Sequence, residues 1–120
     1  MEKHGKGSMT IIGEGTMIEG ELSSPHSIRI DGTFKGRKLS TSEGLSVGGA
    51  GVIEAETVLA KNAIISGRVV VSGSITIEDR VELEDKSALI GDLRTRDLVI
   101  IEGAVFQGNC QMDTQKAVKV

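Results

Sequence analysis

Residues 28–36 read Ile28-Arg29-Ile30-Asp31-Gly32-Thr33-Phe34-Lys35-Gly36. Apolar side chains fall at 28 and 30, an Asp-Gly turn signal follows, and an apolar residue returns at 34. The phrase recurs in altered form down the chain. It returns as Leu45-Ser46-Val47 with Val52-Ile53, and as Ile64-Ile65 with Val69 to Val71. It returns again as Val81-Glu82-Leu83 with Leu89-Ile90-Gly91, and as Leu98-Val99-Ile100 with Val105-Phe106-Gln107-Gly108. An internal repeat of this length decides the fold before any single residue does.

Three ladders follow from the repeat. The first is Ile18, Phe34, Ile53, Val71, Leu89 and Phe106, each two residues before a small one (Gly20, Gly36, Ala55, Gly73, Gly91, Gly108). The second is Ile12, Ile30, Val47, Ile65, Leu83 and Ile100. The third is Leu22, Leu39, Val58, Ile75, Leu93 and Cys110. Steps within each ladder run from 16 to 19 residues. Inside one repeat the apolar residues alternate, as in Ile75-Thr76-Ile77, and a period of two means strand. No window keeps a helical apolar stripe through the glycines, each of which costs a helix roughly 1 kcal/mol against Ala.

These ladders predict an all-β single domain: a parallel β-helix of about six coils, each with three short strands. Gly15, Gly32, Gly51, Gly67 and Gly103 are placed at corners. The domain is set at residues 9–112. Residues 1–8 and 113–120 read as flexible tails with nothing to bury. Handedness does not follow from periodicity. The alternative is a left-handed β-helix of hexapeptide type, but Leu22 stands where that pattern wants a small residue, and the drifting step breaks its count.

Composition narrows the function. The chain has 120 residues, a net charge of -3, 16 Gly, two Phe and neither Trp nor Tyr. The mild charge lacks the basic excess of a nucleic-acid footprint. The missing aromatics remove base-stacking platforms. One cysteine forms no internal disulfide, and the N-terminus has no signal-peptide core, so a cytoplasmic protein is expected. Cys110 reads as a small buried hydrophobe closing its ladder. His4 and His26 have no metal-ligand spacing. Gly48-Gly49-Ala50-Gly51 lacks the Lys-Ser/Thr of a phosphate loop and reads as a corner. No cofactor, metal or catalytic residue is expected. The acidic run Glu78, Asp79, Glu82, Glu84, Asp85 and the basic groups Lys35, Arg37, Lys38 and Arg94, Arg96 read as outer surface.

The ends of such a rod expose unpaired strand edges, which template further strands unless capped. Both ends are apolar here. Ile11, Ile12, Met17, Ile18 and Leu22 are the candidate interface at the N-terminal end. Ile100, Val105, Phe106, Cys110 and Met112 are the candidates at the C-terminal end, with Phe106 as the anchor, its burial contributing about 2–3 kcal/mol.

Residues 10–112 resemble the bactofilins, a family of bacterial cytoskeletal proteins. The likeness rests on Thr10-Ile11-Ile12-Gly13 with Ile18-Glu19-Gly20, on Ile28-Arg29-Ile30-Asp31-Gly32 through Gly36, and on Val99-Ile100-Ile101-Glu102-Gly103-Ala104-Val105-Phe106-Gln107-Gly108-Asn109-Cys110-Gln111-Met112. The resemblance implies a right-handed β-helix that polymerises end to end, without nucleotide, into non-polar filaments. It also implies a scaffold at the inner face of the cell membrane that serves cell shape or positions other cytoplasmic or membrane-associated proteins. The family's membrane-targeting tail segment is not matched, since residues 1–8 offer Lys3 and Lys6 but no large apolar residue after Met1. The competing readings are a hexapeptide acyltransferase, which would need a catalytic His on a coil, and a non-polymerising β-helical binding module.

Overall fold

The structure, a computed structural model, describes residues 9–112. The expected tails at 1–8 and 113–120 lie outside the described residues. Among these residues ten strands form one parallel sheet that winds upon itself. They are β1 (Met9–Ile12), β2 (Met17–Ser24), β3 (Ser27–Ile30), β4 (Thr33–Thr41), β5 (Gly44–Val47), β6 (Val52–Ile65), β7 (Arg68–Leu83), β8 (Ala88–Ile100), β9 (Val105–Gln107) and β10 (Cys110–Met112). β6, β7 and β8 run through corners, so each carries pieces of all three faces. There is no helix among the described residues.

The pairing defines six coils with three faces. Face A stacks Met9–Ile12 on Ser27–Ile30, then residues 44–47, 62–65, 80–83 and 97–100. Face B stacks residues 17–20, 33–36, 52–55, 68–71, 88–91 and 105–108. Face C carries residues 21–24, 38–41, 57–60, 74–77, 92–95 and 110–112. Alternation turns two side chains per face inward, and these make one continuous core with Ile28, Ile30, Phe34, Leu39, Ile53, Val81, Leu83 and Leu89 fully buried. Aliphatic ladders therefore replace the aromatic core of an ordinary small domain.

The second and third ladders stand as read from the sequence. The first needs a correction in the fourth coil. Ile53 stacks on Val69, and Ala55 on Val71, so Val71 belongs with the small residues and Gly73 lies off the ladder. The cause is corner length. The A-to-B corner holds four residues in coil 3 (Gly48–Gly51), closed by the Gly51 N–H donating to Gly48 O. In coil 4 it holds only Ser66-Gly67. One of the two residues lost there is returned at the next corner, where Ser72-Gly73 stands against Glu56, and the other at the corner after it, where Glu78-Asp79 stands against Lys61. Corners thus absorb insertions while the strands keep register.

Corner glycines serve two ends. Gly15 and Gly103 take positive φ, and Lys86 takes φ 66° at the matching place in coil 5. Gly32, by contrast, has ordinary φ but lies against the carbonyl oxygens of Gly13 and Thr16 in the coil before it. A side chain there would push the coils apart.

Candidate functional site at the two ends of the solenoid

An inner coil hydrogen-bonds to a neighbour on each side. The terminal coils have one neighbour only: β1 pairs with β3 alone, β2 with β4, and β9 and β10 with β8. Each end therefore presents a triangle of unpaired backbone N–H and C=O groups around the cut face of the core.

At the C-terminal end the core lies open. Phe106, Leu98 and Ala104 pack on it only from one side, and Ile100, Cys110 and Met112 are exposed. Ile100 is 50% exposed although it closes the ladder in which Leu83 is wholly buried. Cys110 was expected to be buried; it is exposed because no coil stacks beyond it. Its thiol is still pushed above the ordinary cysteine value by partial burial, which keeps it protonated. Val105 points outward from face B beside Phe106. A polar groove of about 530 Å³ borders this end on face C, where Asn109 Nδ2 donates to Asp92 Oδ1 at 3.3 Å.

The N-terminal end is better covered. Ile12 is buried at 5% exposure, while Ile18 and Leu22 are half-buried. Ile11 and Met17 are exposed but alternate outward, onto faces A and B, so they rim the end. Of the ten predicted residues, Ile12, Ile18, Leu22, Ile100, Phe106, Cys110 and Met112 thus line the core's axis, and Ile11, Met17 and Val105 flank it. The sequence reading passed over Leu98, Ala104 and exposed Ile101. Leu98 was readable as the inward residue two before Ile100; the other two sit in a turn, where alternation gives no signal.

Charge gathers at the corners. Arg29 Nε donates to Asp31 Oδ2 at 3.0 Å, and this contact raises the guanidinium's pKa further. On the matching corner of coil 5, Glu84 is held above the usual carboxylate range by local desolvation and then by Glu82 and Asp85. No group of metal-ligating side chains occurs among the described residues. No helix of the described residues is long and apolar enough to cross a membrane.

Residues 10–111 match the family model "Bactofilin: Polymer-forming cytoskeletal". The chain belongs to the bactofilin family. It is 40% identical over 107 residues to Bactofilin BacO of Myxococcus xanthus (strain DK1622), covering 89% of this chain and 82% of that protein. Its fold is similar to that of a Thermus thermophilus bactofilin, solved by cryo-EM in double helical filaments. The TM-score is 0.76 at 28% identity, over 84% of this chain and 96% of that one. The bactofilin match spans both end coils of the solenoid.

Proposed function

We propose that this chain is a structural filament subunit that assembles end to end through its first and last coils, without nucleotide. The observation that carries the reading is the open last coil, where Ile100, Phe106, Cys110 and Met112 present the cut core beside unpaired strand edges. Stacking another coil there continues ladders that already run through six coils. If like ends meet, each contact is two-fold, and the two alternate along a non-polar filament. The solved relative forms double helical filaments. Nucleotide independence has a local basis: the glycine-rich corner Gly48–Gly51 is packed beneath Ile30 O, and the Asp31 carboxylate lies against Gly48. The corner is filled by the chain's own atoms, the Arg29–Asp31 pair among them, and leaves no phosphate cradle. The chain acts by holding other proteins in place rather than by catalysis, at the inner face of the cell membrane.

Negative-stain microscopy in plain buffer, without nucleotide or metal, tests this. The parent should give filaments, and Phe106→Arg should give small soluble particles with unchanged circular dichroism. Compact monomers or trimers from the parent would sink the reading. Filaments from both would move the key contact away from Phe106.

A further inference from the structure

Among the described residues eight large apolar side chains are exposed: Met9, Ile11, Met17, Ile64, Ile100, Ile101, Val105 and Met112. Seven lie in the first or last coil, where end contacts cover or border them. Ile64 does not. It stands on the outer side of face A in coil 4, 47% exposed, where no end contact reaches. Beside it runs an apolar groove of about 120 Å³ with small residues (Ser27, Gly44, Ser46, Ala63) along its floor and Met9 at its far rim.

The register gives the outward row that contains Ile64. It reads Ile11, Arg29, Ser46, Ile64, Glu82, Val99 from coil 1 to coil 6. Turned about the gap between coils 3 and 4, this row complements itself. Ile11 meets Val99, Arg29 meets Glu82, and Ser46 meets Ile64. We propose that the outer side of face A is a lateral interface on which two filaments of this chain pair face to face, with adjoining subunits antiparallel. The two-fold axis lies in the interface, along the strands, and each Ile64 enters the other copy's groove. This rests on the end-to-end reading above, and it supplies the sideways contact that a double helical filament needs in addition to the axial one.

Charge supports the pairing. Arg29 uses one N–H on Asp31 and retains others pointing outward, since a guanidinium carries five. Glu82 has no cation within ion-pair distance among the described residues. Beside it the Glu84 carboxyl is held above its usual range, first by desolvation and then by Glu82 and Asp85.

Area explains why the pairing belongs to polymers. A four-residue strand is about 13 Å long and six coils span about 29 Å, giving at most about 400 Å² per copy. That is about half of what a standard stable interface buries on each side. Repetition along two filaments multiplies it.

The test is filament width by electron microscopy, with folding checked by circular dichroism. The parent should form two-stranded filaments. Ile64→Lys, Arg29→Glu and Glu82→Arg should each give single strands of half the width, and the combined Arg29→Glu/Glu82→Arg should restore pairing. Phe106→Arg particles should remain unpaired. Two-stranded filaments from all three single variants, or a combined variant that stays single, would overturn the proposal. So would an Ile64→Lys that keeps two strands but loses binding to anionic phospholipid vesicles, since the face would then serve a membrane. A parent that forms only single strands would overturn lateral pairing while sparing the end-to-end reading; a parent that forms no filament would remove both.

Discussion

The chain's two phenylalanines occupy the same ladder, one inside the rod and one at its end. Phe34, in coil 2, lies between Ile18 and Ile53 and is wholly buried. Phe106, in coil 6, rests on Leu89 and is half-buried. Residue type, face and inward direction are the same. The difference is a missing neighbour, so the contact that stabilises the fold in coil 2 is left unmade in coil 6. Another subunit can make it.

The largest effect should come from breaking the buried member of that pair. Phe34→Ala removes a sealed aromatic and leaves a cavity in a core without other aromatics nearby, at a cost of about 3–5 kcal/mol. A domain of this size is stable by only about 5–15 kcal/mol, so the variant should unfold at much lower denaturant. Phe106→Ala should cost the monomer less, about 1–2 kcal/mol, because its ring is only partly buried. Denaturation of dilute, unassembled protein reads both. Equal losses would mean that coil 6 is sealed in the monomer and would weaken the end-contact reading.

A second comparison uses glycine. Gly32 lies against the backbone of coil 1, whereas Gly13 has nothing near where its Cβ would be and has ordinary φ. Gly32→Ala should destabilise by about 1–3 kcal/mol through overpacking. Gly13→Ala should be neutral in the monomer. A shift in thermal midpoint for the first and none for the second would show that coil stacking, rather than turn conformation, demands the glycine. Comparable losses would refute that.

These contrasts also mark what the sequence made legible. Alternation and repeat length revealed the coils, the three faces and two complete ladders, because inward positions are bound by burial to a fixed period. The first ladder slipped in coil 4, because Gly73 repeats the pattern of Gly36 and Gly91 while corner lengths change unseen. Cys110 was misjudged for a related reason. Its ladder identity was legible, but its exposure depends on whether another coil follows, which periodicity does not report. Ile64 passed unnoticed beside Ile65. Two adjacent isoleucines look like one apolar run until the register turns one of them outward.

The smallest expected effect compares two matching corners. In coil 2, Asp31 is compensated by Arg29. In coil 5, Glu84 is desolvated and faces Glu82 and Asp85, so its folded pKa lies above the ordinary 4.5. The folded state therefore holds this proton more tightly than the unfolded chain does. Stability from this group is full below the ordinary value and is lost as pH rises from about 4.5 through the raised one. Glu84→Gln should flatten that part of the stability–pH curve. Lateral pairing sharpens the contrast. If Arg29 of a second copy approaches Glu82, it also draws positive charge toward Glu84, and the raised pKa should fall back in assembled filaments. Proton uptake during disassembly in that pH window would report it. No proton uptake, with Glu84→Gln behaving as the parent does, would mean that coil 5's acidic corner is solvated in both states.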